Sequence, residues 1–259
     1  MHSFSIIIAS YNTKKHFIKT LNSIKKQTYK KYEIIVIDGF STDGTVDLIR
    51  KNINKKIRFL IERDSGIYDA MNKGIKLAKG NWTIFMNSGD IFYSKHVLEK
   101  LAKICLNNKN YKIVFGDTMV SNGAFNYKVK SEYFNNKTIL MPFCHQSSAV
   151  RSNLLKNNLF NLKYTLSSDF NFFSLCYQNN FEFKKCNLII SKIISGGQSD
   201  INRQKVLTKN IKIFYIKKFY LKILFLLCLK IFEFFKTVIK SILPNNLIKF
   251  ILKVKYHKL

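Results

Sequence analysis

The sequence predicts an α/β fold: a mainly parallel sheet flanked by helices, followed by an amphipathic helical tail. Three observations predict it. Uninterrupted apolar runs alternate with stretches whose apolar residues recur every three or four positions. A polar cluster closes most of those runs, and from Arg203 onward the chain turns strongly basic.

The elements follow in order. Phe4-Ser5-Ile6-Ile7-Ile8-Ala9 is a first strand ending at Ser10-Tyr11-Asn12, and Thr13 to Gln27 places Phe17, Leu21 and Ile24 at helical spacing. The unit recurs: Glu33 to Ile37 is a second strand running into Asp38-Gly39-Phe40-Ser41-Thr42-Asp43-Gly44, and Thr45 to Lys51 a second helix. Ile57 to Ile61 forms a third strand, Gly66 to Ala78 a third helix, and Trp82 to Met86 a fourth strand. Strands that are apolar throughout, rather than alternating, belong to parallel sheets covered on both faces. Beyond residue 110 the spacing predicts a strand at Ile113 to Asp117, a hairpin turn at Ser121-Asn122-Gly123, and helices near 151–157 and 168–177.

In such sheets ligands bind beyond the carboxyl ends of the strands. Ser10, Tyr11 and Asn12, then Asp38, then Asn87-Ser88-Gly89-Asp90 all fall at those ends, so three separate loops are expected on one edge. Asp38 is placed to accept hydrogen bonds from a nucleotide's base or ribose, although Ser41-Thr42-Asp43-Gly44-Thr45 also reads as an ordinary turn and helix cap. Asp69, Asn72 and Lys73 stand at i, i+3 and i+4, one helix face that could meet sugar and diphosphate or form a solvated ion pair. Asp90, in a loop after an apolar strand, suits coordination of Mg²⁺ or Mn²⁺.

A net charge of +29 calls for an anionic partner. No recognition motif for nucleic acid accompanies it, and nucleic acid is not an expected partner. Five cysteines without a CxxC pair, and a start that leads directly into a strand, predict a reducing, cytoplasmic setting. Those cysteines are expected to be small buried apolar residues.

Taken together, Ser5-Ile6-Ile7-Ile8-Ala9-Ser10-Tyr11-Asn12, Gln27-Thr28-Tyr29, Glu33 through Thr45, Gly66-Ile67-Tyr68-Asp69-Ala70-Met71-Asn72-Lys73-Gly74 and Asn87-Ser88-Gly89-Asp90, in that order, closely resemble glycosyltransferase family 2. The resemblance is strongest over residues 3–100 and extends to about 200. It implies a GT-A type, Rossmann-like fold, a nucleotide-sugar donor such as a UDP-sugar, a divalent metal (Mn or Mg) and inversion at the anomeric carbon. By carry-over Tyr11 and Asp38 would lie against base and ribose, and Asp90 would be the metal-binding aspartate. Gly89 stands where many relatives carry an acid, which motivates the alternative of a weakly active sugar-nucleotide and membrane-binding module. Ser167-Ser168-Asp169-Phe170 resembles the family's later acidic motif, making Asp169 the expected general base. Cys144-His145-Gln146 resembles its His-Gln pair, bringing His145 to the diphosphate or acceptor.

The expected division is a catalytic domain over 1–202, with a nucleotide-binding half to about 100 and an acceptor half over 101–202, and a tail over 203–259. The tail carries 14 Lys+Arg against Glu233 alone. Its longest uncharged run between 211 and 240, Ile223 to Leu229, is far short of the roughly 20 residues needed to span a bilayer. Over 211–240, Lys212, Lys218, Lys222, Lys230, Glu233, Lys236 and Lys240 share about a third of a helix circumference, with Lys217 apart, the pattern of an interfacial helix on an anionic membrane. Peripheral attachment to the inner face of the cytoplasmic membrane would meet a lipid-linked or lipopolysaccharide-type saccharide acceptor. Packing of the tail on the catalytic domain or a second subunit is the competing expectation.

Overall fold

The computed structural model describes residues 3–53, 55–123, 125–197, 201–216 and 219–243. Its first half follows the predicted alternation: β1 (Phe4–Ser10), α1 (Lys14–Lys25), β2 (Tyr32–Asp38), α2 (Thr45–Lys51), β3 (Ile57–Ile61), α3 (Ile67–Leu77) and β4 (Trp82–Phe85). The second half holds β5 (Ile91–Phe92), α4 (Val97–Asn107), the hairpin β6 (Ile113–Ser121) and β7 (Asn126–Val129), then β8 (Ser148–Arg151) and α5 (Ser152–Asn157). It closes with α6 (Ser168–Gln178), β9 (Phe183–Ile194), α7 (Arg203–Ile216) and α8 (Tyr220–Ile242).

The sheet runs β3-β2-β1-β4-β8-β6-β9-β5, with β7 beside β6. β3, β2, β1 and β4 are parallel. β8 enters antiparallel between β4 and β6, and β6 and β9 run parallel to each other.

Alternate residues of each central strand enter different cores, which is why these strands are apolar throughout. Ile7, Ala9, Ile35 and Ile37 face a core shared with α3, α5 and α6, whereas Phe4, Ile6, Ile8, Ile34 and Val36 face one shared with α1 and α4. Glu33 is one of the few charged residues inside: its carboxylate accepts Ser5 Oγ (2.6 Å) and the Lys79 and Gly80 amides, and pairs with Arg58. Burial pushes the Glu33 carboxyl up, but the bonds from Ser5, Lys79 and Arg58 outweigh it and hold the group below its usual range.

The tail departs from the single surface helix expected over 211–240. It is two helices in contact, tied together by Gln204 Nε2 donating to Lys230 O (3.1 Å). Leu207, Ile213 and Phe214 of α7 are buried in the same core as α6, with the Phe214 and Phe170 rings 5.8 Å apart. Removal of everything after residue 202 would therefore uncover core as well as take away charge. Lys217, Lys218 and residues 244–259, which belong to the expected basic tail, lie outside the described residues. No disulfide joins the five cysteines; Cys105, Cys176 and Cys186 are buried as expected, but Cys144 is half-buried and Cys228 lies exposed on α8.

Candidate active site

The loops after β1, β2 and β4 are bonded to one another at the carboxyl edge of the sheet. Gly39 N donates to Ser10 O (2.9 Å) and Ser88 N to Ala9 O (3.1 Å), while Asn12 N reaches Ser41 Oγ (2.8 Å). Asn12 returns the contact, its Oδ1 accepting Thr42 N (2.9 Å) from a backbone φ of 50° that asparagine tolerates better than most residues. Asp38 is fully buried; its two oxygens accept Ser41 N (2.7 Å) and Ser41 Oγ (2.8 Å). Ser10 Oγ is bonded to Thr13 Oγ1 (2.8 Å). Tyr11 by contrast is 63% exposed, an aromatic face left open above this mesh. A Cβ at Gly39 would stand 2.6 Å from Asp64 Oδ2 and 3.2 Å from the Tyr11 ring, so a larger residue would have to displace those two side chains. Burial, with Asp69 and Asp38 nearby, pushes the Asp64 carboxyl up, against the pull of its bond from Gly66 N and of Lys73.

A second cluster gathers residues from four distant parts of the chain. Tyr68, in the first turn of α3, donates its hydroxyl to Asp169 Oδ1 (2.8 Å), and Phe170 N donates to the same oxygen (2.8 Å). Asp169 Oδ2 lies 3.0 Å from His145 Nδ1. Burial pushes the Asp169 carboxyl up, but the bonds from His145 and Tyr68 prevail and hold it below its ordinary range. An ionised carboxylate can only accept, so the His145 proton sits on Nδ1, leaving Nε2 to take Asn87 Nδ2–H (3.2 Å). Burial and the adjoining carboxylate push Tyr68 well above its usual value, so it stays a donor.

Beside this relay, Asp90 Oδ2 accepts Gln146 Nε2 (3.1 Å). Burial pushes the Asp90 carboxyl up to about 6, with Gln146 and His145 pulling the other way. Its loop is anchored from behind: Thr20 Oγ1 donates to Asp90 O (2.7 Å) and accepts Gly89 N (2.8 Å). Gly89 has φ +110°, so an acidic residue there would be strained, and this turn is built to present one carboxylate. On the same turn Asn87 Oδ1 and Ser88 Oγ are buried without a hydrogen-bond partner. Unsatisfied oxygens beside a buried carboxylate are a donor set that suits a hard divalent cation. Among the described residues no group of three His, Cys, Asp or Glu could hold a metal, and this turn carries a single carboxylate, Asp90.

Comparison with known proteins decides the family. The model of "Glycosyl transferase family 2" matches residues 5–174. The chain belongs to glycosyltransferase family 2. It is similar to the PGL/p-HBAD biosynthesis glycosyltransferase of Mycobacterium bovis, 30% identical over 68% of this chain and 70% of that protein. It is also similar to an Escherichia coli UDP-Glc:alpha-D-GlcNAc-diphosphoundecaprenol beta-1,3-glucosyltransferase, WfaP, 33% identical over 52% of this chain and 58% of that one. The GT-A fold is shared with S. aureus TarS 1-349 in complex with UDP-GlcNAc, at a TM-score of 0.66 and 22% identity, over 82% of this chain but 65% of that structure's length. A mannosyltransferase from Pyrobaculum calidifontis, in complex with GDP-Man and Mn²⁺, gives a TM-score of 0.65 at 15% identity, over 83% of this chain and 64% of that one.

Within this glycosyltransferase the sequence-derived candidates fall into separate groups. Ser10, Asn12 and Asp38 form the loop mesh with Tyr11 open above it, and Asp90, His145 and Asp169 the half-buried cluster. Asp69 accepts Ser65 N (3.0 Å) and lies 3.7 Å from Lys73 Nζ, the i,i+4 pair that was the alternative for that helix face, and Lys73 also reaches Arg63 O (2.6 Å) and Glu62 (3.0 Å). Asn72 does not share that face with them. It is turned inward, donating to Phe160 O (2.9 Å) and accepting Phe160 N (2.9 Å), because the loop after α5 leaves those backbone groups to be satisfied there. Tyr68, Asn87, Gln146 and Asp64 are residues that sequence reasoning passed over as site members. Gln146 and Asn87 were legible as neighbours of the motif residues, whereas Tyr68 sits on an apolar helix stripe and reads as core.

Proposed function

We propose that this glycosyltransferase moves one sugar, with inversion, from a nucleoside-diphosphate sugar of the UDP class to a lipid-linked or lipopolysaccharide-type saccharide in surface-glycan synthesis. The observation that carries the proposal is the junction of two carboxylates of opposite character: Asp90, pushed up by burial beside unsatisfied oxygens, and Asp169, held ionised by Tyr68 and His145. The first, desolvated beside oxygens that lack a partner, suits a cation, and the second is unprotonated, as a general base has to be. In this reading the donor half, to about residue 100, holds base and ribose between Tyr11 and the Asp64 carboxylate, while Asp38, expected against base and ribose, is buried with both oxygens on Ser41 and braces that loop. Asp69 and Lys73 border the same edge. Asp90, with Asn87 Oδ1 and Ser88 Oγ, would hold Mn²⁺ or Mg²⁺, which when bound neutralises the charge growing on the departing nucleoside diphosphate.

The acceptor half, about 101–202, carries the base. Asp169 takes the proton from the attacking hydroxyl, and its loss makes that oxygen nucleophilic toward the anomeric carbon as the bond to the diphosphate breaks. Tyr68 and His145 fix the carboxylate's orientation, so little reorganisation accompanies the transfer. A second reading has one observation behind it. The 3.0 Å His145–Asp169 contact is the geometry in which an aspartate orients an imidazole that itself accepts the proton.

The lipid-linked acceptor is supported by the kind of substrate in WfaP's name and by the basic tail, through which we place the protein on the cytoplasmic membrane's inner face. No helix among the described residues is long and apolar enough to cross a membrane. A thermal-shift panel of UDP-, GDP- and dTDP-sugars tests the donor class. A ligand that binds only the folded state raises apparent stability by about 2.7 kcal/mol at 100 times its Kd. A shift with UDP-sugars in Mn²⁺ is expected; a shift with GDP-sugars alone would overturn the UDP assignment.

A further inference from the structure

We infer that the outer face of α8 is a docking surface for the acyl layer of an anionic bilayer, with the helix lying in the membrane plane and its charged flank turned up toward the protein. The inference rests on the proposed membrane location and gives it a surface and an orientation.

The amphipathicity of α8 is inverted relative to that of a helix on a soluble protein. Lys222, Lys230, Glu233 and Lys236 occupy the half-buried flank around Leu226, which is fully buried against the catalytic core. Lys222 Nζ reaches Thr138 O (3.3 Å) and lies over the Phe214 and Phe219 rings, and Lys236 pairs with Glu233. The opposite stripe recurs at helical spacing and is open: Leu221, Leu224, Ile231, Phe235, Ile239 and Ile242 are each at least 55% exposed. Among the described side chains of α8 no charged residue lies on that stripe. The helix has 23 residues, so the apolar face is about 34 Å long, far more than scattered surface leucines.

Charge selects the occupant. The chain from Arg203 carries 14 Lys+Arg against one Glu, so two copies pressed together along α8 would bring two strongly positive tails into one seam. An anionic leaflet meets the same charge with phosphate. With the apolar stripe among the acyl chains, the flanking lysines stand at headgroup height, as amphipathic cations do at an interface. The orientation reaches the active site through packing. Phe214 of α7 meets Phe170, next to Asp169, edge-on, and Asn210 Nδ2 donates to Ile139 O (3.1 Å) on the segment that leads to His145. A docked α8 thus sets the catalytic half at a fixed attitude to the membrane.

The experiment is sedimentation of the full chain with vesicles of phosphatidylglycerol and phosphatidylethanolamine, against neutral phosphatidylcholine vesicles, for wild type and the triple variant Leu224→Ser, Ile231→Ser, Phe235→Ser. The three positions are exposed, and circular dichroism melting verifies that the variant folds. Wild type should pellet with the anionic vesicles, more weakly with the neutral ones, and the variant should bind at least about 100-fold more weakly. Equal retention of variant and wild type, or equal binding to both vesicle types, would overturn the inference. So would a wild type that stays in the supernatant as a dimer which the variant fails to form. Vesicle binding is read without donor or acceptor, so loss of the donor-induced thermal shift would sink the proposed reaction and leave this result standing.

Discussion

Replacing Asp169 by Asn removes one charge and one acceptor from the most heavily bonded group of the site. The carboxylate accepts three hydrogen bonds, from Tyr68 Oη and Phe170 N on Oδ1 and from His145 Nδ1 on Oδ2. The amide oxygen of Asn can keep the first two, but its NH₂ then faces the His145 Nδ1–H, two donors in opposition, unless the imidazole moves its proton to Nε2. The lost charge-assisted bond costs about 1.5–3 kcal/mol of stability, enough to lower Tm by several degrees yet leave a folded protein. The catalytic cost is larger, because a general base contributes about 10²–10⁴-fold. The assay is initial-rate transfer of labelled sugar to a saccharide acceptor, with donor affinity measured in parallel. Transfer should fall by at least about 100-fold while donor affinity stays at the wild-type level. His145→Gln then separates the two base assignments: with Asp169 as base it costs about 10-fold, and with His145 as base as much as Asp169→Asn. Undiminished transfer by Asp169→Asn would remove Asp169 from the mechanism.

Two further substitutions test the surroundings. Tyr68→Phe removes a single donor to Asp169 and should lower kcat by about 10-fold with little change in donor KM, since one positioning hydrogen bond is worth about 1–1.5 kcal/mol; a raised KM with unchanged kcat would place Tyr68 in donor binding instead. Glu33→Gln leaves Arg58 without its carboxylate and should cost about 2 kcal/mol in urea unfolding. Because the folded Glu33 carboxyl is held below its unfolded value of about 4.3, its contribution is present above that pH and lost as pH falls through the folded value. Wild type should lose its advantage over Glu33→Gln in acid; an advantage independent of pH would contradict the assignment.

The first half of the fold is legible because its signals are local. Ile34-Ile35-Val36-Ile37 followed by Asp38 states both a strand buried on two faces and a polar edge, and two more loops repeat the statement. β9 escapes such reading, since Phe183 to Ile194 carries lysines among its apolar residues and is held by pairing with β6, some seventy residues earlier. α4 was within reach, with Val97, Leu98, Leu101, Ala102 and Cys105 at helical spacing and buried. The candidate catalytic cluster is the instructive case. Asp90, His145 and Asp169 were reachable as family motifs, but the Tyr68 hydroxyl meets Asp169 across 101 positions, a contact that no local pattern encodes. Asn72 erred the other way: helical spacing put it beside Asp69 and Lys73, and the backbone of a distant loop claimed it. In the tail, composition revealed the basic and apolar stripes, while packing decided where the helix breaks and which stripe faces out.

The most direct test of the account is release of nucleoside diphosphate from a UDP-sugar, in the presence of a saccharide acceptor, by wild type and Asp90→Ala, each with Mn²⁺ and with EDTA. Asp90 is the carboxylate of a buried oxygen set, so release should require the metal in wild type and fall by at least about 100-fold in Asp90→Ala, with the fold intact by circular dichroism. Release that survives EDTA, or an Asp90→Ala variant as active as wild type, would contradict a metal-assisted transfer centred on Asp90.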